Sequence, residues 1–118
     1  MSKKTRFTHR SVKLFESPLT TKKYRAVFYY DNEPFHYVDF GGKNYRDFTL
    51  INDPDSKYYI PDKKEREKVR ENYIARHDNE REDWDDPFTA GALSRWVLWE
   101  RPTLADSWRF YKSRFNLG

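Results

Sequence analysis

The sequence predicts an α+β domain, with a small antiparallel sheet of two to four strands in the N-terminal half and about three helices from the C-terminal half packed on it. Short runs of β-branched and aromatic residues, separated by turn residues, fill the N-terminal half. Apolar residues at helical spacing follow in the C-terminal half. Strands that precede helices, instead of alternating with them, favour helices on one face of an antiparallel sheet. Aromatic residues are 19% of the 118, so the chain has large side chains with which to form a core.

The predicted strands begin near the N-terminus. Residues 11–15 alternate in side-chain character and would form a short edge strand. Residues 24–30 (YRAVFYY) and 35–40 (FHYVDF) flank turn residues at 31–34 and would form a hairpin. Residues 45–51 (YRDFTLI) are also rich in β-formers, and we expect them to add a strand because an isolated hairpin is only marginally stable.

Three helices are predicted in the C-terminal half. The first covers residues 62–78, which are almost all charged, and its narrow apolar stripe consists of Val69, Tyr73 and His77. The second covers residues 89–99 (TAGALSRWVLW) and is more apolar, so we expect it to be more buried. The third begins at Thr103, which is a good helix-capping residue. Its apolar stripe consists of Leu104, Trp108, Tyr111 and Phe115.

Charge is distributed unevenly along the chain, whose net charge is +4. Residues 1–25 hold eight Lys or Arg and one Glu, and residues 91–118 hold five basic and two acidic residues. We therefore predict a basic N-terminal arm over residues 1–23 and a single α+β domain over residues 24–118. Such an arm suits a polyanion, either nucleic acid or an acidic protein surface, although a basic tail can also serve only to keep a domain soluble. The candidate contacts are Lys3, Lys4, Arg6, Arg10, Lys13, Lys22, Lys23, Arg25, Arg109, Lys112 and Arg114.

Composition excludes several classes of protein. Because the chain has no Cys, it has no disulfide framework and no thiolate zinc site. No apolar run approaches the roughly 20 residues that span a membrane. We expect a protein that is not secreted, has no membrane partner and needs no cofactor. A chain of this length also excludes large enzymes, transporters and dinucleotide-binding domains.

The region around His77 contains the residues of the sequence that could act as a general base or bind a metal ion. His77 lies on the apolar stripe with Glu80 nearby, as a general base would need, but no nucleophile stands at a recognisable spacing. Acidic residues at 80–86 could bind a divalent cation, but consecutive residues of one loop seldom point inward together. We therefore predict a structural staple, in which Arg76 contacts the acidic loop, and assign no catalytic or metal-binding residue. The predicted staple consists of Arg76, His77, Glu80, Asp83 and Asp86, with Asp85 as a further acceptor for Arg76.

Aromatic and basic residues interleave along the predicted strands. Exposed aromatic rings on a sheet can stack with bases, and neighbouring Arg or Lys residues can hold phosphates. The alternative is that these rings belong to the core and to cross-strand pairs. The residues concerned are Tyr24, Arg25, Tyr29, Tyr37, Tyr45 and Arg46.

Three runs of the sequence resemble a small, functionally uncharacterised protein family of large and giant DNA viruses. They are residues 40–50 (FGGKNYRDFTL), 73–104 (YIARHDNEREDWDDPFTAGALSRWVLWERPTL) and 111–115 (YKSRF). The resemblance implies a viral protein that is made in the host cytoplasm or a virus factory and can enter the virion. It implies no activity, no fold and no site residue.

These observations predict a non-catalytic binding protein of a large DNA virus, which contacts nucleic-acid phosphates through its basic arm. The first alternative is a minor capsid or cement protein of the virion, whose partners would be other capsid proteins. A metal-dependent nuclease that uses His77 and the acidic loop is the third.

Overall fold

The computed structural model describes residues 9–78 and 83–118. Within them the chain forms a three-stranded antiparallel sheet in the N-terminal half, followed by helices in the C-terminal half. The predicted α+β class is confirmed, as is the predicted order of strands before helices.

The sheet contains β1 (Arg10–Glu16), β2 (Lys22–Tyr30) and β3 (Glu33–Gly42), in the order β1-β2-β3. Strands β2 and β3 are joined by a two-residue turn in which Asp31 and Asn32 have φ angles of 49° and 71°. Two positive φ angles fit a type I′ turn, for which Asn and Asp are favoured because they tolerate the left-handed region. The predicted edge strand and hairpin are thus present.

The edge of β1 is partly covered by the C-terminal residues. The amide of Gly118 donates to the carbonyl oxygen of Arg10 at 2.9 Å, and the amide of Val12 donates to the carbonyl oxygen of Gly118 at 3.1 Å. Residues 10–16 are therefore part of the folded domain, although the sequence assigned them to the arm. Of the predicted arm, residues 1–8 lie outside the described residues.

The helices of the described ranges are α1 (Phe48–Ile51), α2 (Lys63–Asp78), α3 (Ala90–Leu93) and α4 (Leu104–Arg114). A π-helical segment, Ser94–Leu98, continues α3 without a break, so the single helix predicted there has a wide last turn. In the described part of the chain, no helix has both the length and the apolar character needed to cross a membrane.

The strand predicted over residues 45–51 is wrong, because this segment forms a loop and the short helix α1. Asp47 precedes the helix and accepts hydrogen bonds from the backbone N–H of Leu50 at 3.0 Å and from the hydroxyl of Thr49 at 2.6 Å. A carboxylate that caps the first turn satisfies backbone donors that a strand would have paired with a neighbour. This local hydrogen bonding outweighs the β propensity of the surrounding aromatic and β-branched residues.

The core lies between one face of the sheet and the helices. Val12, Ala26, Phe28 and Phe40 are buried on the sheet side. On the helical side, α4 contributes Tyr111, which is fully buried and donates its hydroxyl to the carbonyl oxygen of Pro87 at 2.6 Å. The predicted stripe of α4 therefore does face the core, where the other three members are partly buried: Leu104, Trp108 and Phe115.

Candidate functional site

The face of the sheet that the helices leave uncovered carries aromatic and basic side chains. Side chains alternate along each strand, so the neighbours of buried Val12, Ala26 and Phe28 point to this second face. Phe15 is 47% exposed and Tyr37 is 52% exposed. We call this surface the open face and define it by six residues: Lys13, Phe15, Arg25, Val27, Tyr29 and Tyr37.

Cations and rings are interleaved on the open face. The guanidinium of Arg25 lies 4.0 Å from the centre of the Tyr37 ring, and the ammonium of Lys13 lies 5.2 Å from the centre of the Tyr29 ring. Arg25 also forms two 2.9 Å hydrogen bonds with the carboxylate of Asp39, its cross-strand neighbour. These bonds hold the pKa of Asp39 below its usual value and raise the pKa of Arg25. The face therefore presents aromatic surface beside two basic side chains: Arg25, which is held and balanced by Asp39, and Lys13, which forms no ion pair with the described residues.

Lys23 differs from the other predicted contacts of the arm because it is held inside the fold. Its ammonium donates to a carboxylate oxygen of Asp47 and to the carbonyl oxygen of Tyr45, each at 2.7 Å. The side chain of Lys23 is 11% exposed. The predicted phosphate contact at Lys23 is therefore replaced by a structural ion pair that anchors the loop before α1.

The remaining predicted basic contacts fall into two groups. On α4, Arg109 pairs with Asp106, and Arg114 pairs with Asp85 at 2.7 Å while it covers the ring of Trp96. Arg10, Lys13, Lys22 and Lys112 form no ion pair with any residue that the structure describes. Lys3, Lys4 and Arg6 lie outside the described residues.

The predicted staple between Arg76 and the acidic loop is not formed within residues 9–78 and 83–118. The Asp83 carboxylate accepts the backbone N–H of Asp85, and the Asp86 carboxylate accepts that of Phe88, so both close local turns. Among the described residues, the arginine that forms an ion pair with a carboxylate of the loop is Arg114, from α4, which binds Asp85. Glu80, the remaining member of the predicted staple, lies outside the described residues.

A different set of charges links α2 to the end of the π-helical segment. Glu100 accepts hydrogen bonds from Arg95 at 2.8 Å and from Arg70 at 3.1 Å. Arg95 is buried with its guanidinium 4.2 Å from the centre of the Trp96 ring, and burial lowers its pKa. The sequence does not predict this network. The Trp-rich run around Arg95 indicates a buried segment, but nothing in the sequence pairs Arg95 with Arg70, which lies 25 positions earlier.

His77 is placed by aromatic stacking. Its Nδ1 lies 3.0 Å from the carbonyl oxygen of Tyr73, one turn earlier, and its ring stacks on the Tyr73 ring at 4.0 Å. The other face of Tyr73 stacks on Trp99 at 4.1 Å with an interplanar angle of 6°. Because a carbonyl oxygen only accepts hydrogen bonds, Nδ1 is the protonated nitrogen of His77. The prediction that His77 lies on the apolar side of its helix is therefore partly correct, since its ring is half-buried in a stack with Tyr73 and Trp99.

A cleft of about 540 Å³ opens where this stack meets the end of the sheet. One face of α2 lines it, from Val69 through Asn72 and Tyr73 to Arg76 and His77. The opposite wall comes from the β3 end and the loop before α1: Gly41, Gly42, Tyr45, Arg46 and Asp47. The volume is in the range of small-ligand sites.

The described residues contain no group of three or more His, Cys, Asp or Glu side chains placed to hold a metal ion.

One family model matches part of the chain. Residues 12–59, from β1 to the segment before α2, match the model of a family of unknown function, DUF5754. No curated protein and no solved structure matches the chain. The resemblance to proteins of large DNA viruses rests mainly on residues 73–104, outside that match, and stays a prediction.

Proposed function

We propose that the protein is a non-catalytic nucleic-acid-binding protein that holds a single strand on the open face of its sheet. The observation that carries this proposal is the exposure of aromatic rings on that face, interleaved with Lys13 and Arg25. Rings with about half of their surface exposed, such as Phe15 and Tyr37, leave apolar area that the described part of the fold does not cover.

The chemistry of the open face suits unpaired bases. Phe15 and the part of the Tyr37 ring that Arg25 does not cover offer flat apolar surface on which a base can stack, and each such contact is worth about 1–3 kcal/mol. Lys13 supplies unpaired positive charge beside these rings, and Arg25, although paired with Asp39, keeps its guanidinium on the Tyr37 ring, so a backbone phosphate can approach a cation next to a stacked base. A duplex buries its base faces, so this surface favours single-stranded DNA or RNA.

The charge of the N-terminal segment supports the same partner. Residues 1–25 contain eight basic residues and one acidic residue, and β1 and the start of β2 belong to this segment. Lys23 and Arg25 are paired inside the fold, but Arg10, Lys13 and Lys22 form no ion pair with the described residues and lie on the strands that carry the stacking surface. From the viral resemblance, we further propose that the nucleic acid belongs to a large DNA virus, so viral sequences are the first to test.

The test is a titration of fluorescent oligonucleotides, followed by anisotropy at several salt concentrations. Single-stranded DNA, single-stranded RNA and duplex DNA are compared. The test variants are Tyr37→Ala and Lys13→Gln, and the matched controls on other surfaces are Tyr59→Ala and Lys68→Gln. We expect tighter binding of single strands than of duplex, and a Kd that both test variants raise at least several-fold while both controls leave it unchanged.

The salt dependence separates nucleic acid from the capsid alternative. For a single strand, log Kd should rise with log salt by about 0.7 for each phosphate contacted. Lys13→Gln should reduce that slope, and Tyr37→Ala should not. An absence of binding, or binding that the control variants weaken as much, contradicts the proposal. A large apolar contact with capsid protein that does not respond to salt would support the virion alternative instead.

A further inference from the structure

We infer that the cleft between α2 and the loop before α1 binds a nucleoside phosphate, independently of the open face. The inference rests on the residues that line this cleft. The cleft lies at the end of the sheet and is lined from one side by α2. None of the six residues that define the open face lines it. It combines two groups suited to phosphate with an exposed ring suited to a base.

The phosphate would be held by Arg46 and Arg76. These arginines come from opposite walls of the cleft, one from the loop before α1 and one from α2, and both are exposed. Neither forms an ion pair with any residue in the described ranges. Two arginines that line one cavity and form no ion pair with the described residues are a suitable pair of donors for a dianionic phosphate, because Arg binds phosphate oxygens in a bidentate manner.

Lys23, the third cation that lines the cleft, is not available to bind the phosphate. Lys23 is neutralised by Asp47, whose carboxylate also accepts from Thr49 and from the α1 backbone. This buried ion pair, together with the bond from Lys23 to the Tyr45 carbonyl, fixes the loop that carries Arg46. The positive charge of Arg46 therefore lies on a loop that is already fixed in place before a ligand binds.

The base would stack on Tyr45. This ring is 74% exposed, more than any other large apolar side chain described, although it lines the cleft. It rests on the backbone of Gly42, where an added Cβ would lie 2.3 Å from Tyr45 Cδ2. A ring supported on one side by glycine and open on the other is a stacking platform.

His77 adds a polar contact at the cleft wall. Its Nδ1 is occupied by the Tyr73 carbonyl oxygen, so Nε2 is the nitrogen left for a ligand. Asn72, one turn before Arg76, contributes an amide that can both donate and accept. Such groups suit the polar edge of a base or a ribose hydroxyl.

The experiment is a calorimetric titration of the full chain with adenosine 5′-monophosphate, adenosine and ribose 5-phosphate at moderate salt. We expect the monophosphate to bind about tenfold more tightly than either fragment, because each fragment lacks one of the two contacts. Arg46→Gln and Arg76→Gln should each weaken the monophosphate about tenfold. Tyr45→Ala should weaken the monophosphate and leave ribose 5-phosphate unchanged.

Control variants make the inference separable from the proposed function. Arg109→Gln and Tyr59→Ala, which lie outside the cleft, should not change the Kd of the monophosphate, and neither should Tyr37→Ala on the open face. Adenosine binding as tightly as its monophosphate would overturn the role of the arginines. Ribose 5-phosphate binding as tightly would overturn the role of Tyr45, and no binding at millimolar concentration would overturn the site.

Discussion

At the scale of one residue, Asp39 determines how the basic and aromatic side chains of the open face are arranged. It pairs with Arg25 across the strands and accepts a 2.8 Å hydrogen bond from the Ser17 hydroxyl. Arg25 in turn covers the Tyr37 ring, so one carboxylate positions both the cation and the aromatic group. Neither the pairing nor the position of Tyr37 follows from sequence spacing, because both depend on the register of β2 and β3.

Asp39→Asn should lower the stability of the domain in a pH-dependent way. The pKa of Asp39 in the folded protein is lowered, chiefly by the hydrogen bonds from Arg25. Its contribution is therefore present above the unfolded-state pKa of about 3.9 and is lost as the pH falls through the lower folded value. Urea denaturation from pH 7 to pH 2 should show a deficit for the variant that disappears at acid pH. Asp55→Asn, at an exposed loop position, is the control, and a pH-independent deficit for Asp39→Asn contradicts the assignment.

Gly41 is a second position where one residue determines local structure. Its φ angle is +81°, and a Cβ there would lie 3.0 Å from Cδ1 of buried Leu98. We expect Gly41→Ala to destabilise the domain by at least about 1–2 kcal/mol, since the left-handed conformation alone costs that much for an L-residue. Lys43→Ala, at an exposed position two residues later, is the control. Equal melting temperatures for Gly41→Ala and the original protein would contradict the reading.

At the scale of the element, α4 shows what periodicity can predict. The spacing of its apolar residues identified the buried face, but it did not identify which member is buried most deeply. That member is Tyr111, with no exposed surface, while Trp108 is partly exposed and stacks on it at 5.4 Å. The difference depends on how α4 sits against the π-helical segment, which the sequence of α4 alone does not determine.

Tyr111→Ala should therefore cost more stability than Trp108→Ala. Removal of a fully buried aromatic side chain typically costs about 3–5 kcal/mol, and a partly exposed one costs less. Tyr111→Phe should cost about 1 kcal/mol, because the Pro87 carbonyl oxygen loses its donor. Equilibrium urea melts give these values, and Arg109→Ala on the exposed side of α4 is the control. A larger loss for Trp108→Ala than for Tyr111→Ala would contradict the packing of α4.

The segments that the sequence did not predict share a physical cause. Residues 45–51 have strand-like composition, yet the side chain of Asp47 caps a helical turn there. The predicted contacts of Arg76 with Asp83, Asp85 and Asp86 depend on proximity in sequence, whereas Glu100 binds Arg70 and Arg95, which come from separate elements. The cleft likewise joins α2 to a loop about 30 residues earlier. Local patterns predict strands and helices, but ion pairs and cavities depend on tertiary contacts.

At the scale of the whole molecule, the domain uses its two sheet faces differently. One face supports the helices and the core, and the other is covered by no helix of the described residues. The predicted arm must be tested without damage to the sheet, because β1 begins at Arg10. Removal of residues 1–25 would delete β1, so the informative truncation removes residues 1–8 alone.

That truncation should weaken nucleic-acid binding without changing its location. Residues 1–8 contain three basic residues, and their loss should lower the salt dependence by up to about 0.7 for each phosphate no longer contacted. Anisotropy titrations at several salt concentrations measure the change, and an unchanged melting temperature shows that the sheet is intact. If the truncated protein has the same salt dependence as the full chain, residues 1–8 do not contact phosphates and the predicted role of the arm is wrong.

The most direct test of the central proposal is an NMR titration of the isotope-labelled protein with a short single-stranded oligonucleotide. Binding on the open face predicts concentration-dependent shifts at the backbone amides of Lys13, Val27 and Tyr37, together with broadening of the Tyr37 ring signals. It predicts no comparable change at Lys68 on α2 or Arg109 on α4. Shifts confined to the helices, or none at all with the oligonucleotide in excess, would contradict the proposal that this sheet binds nucleic acid.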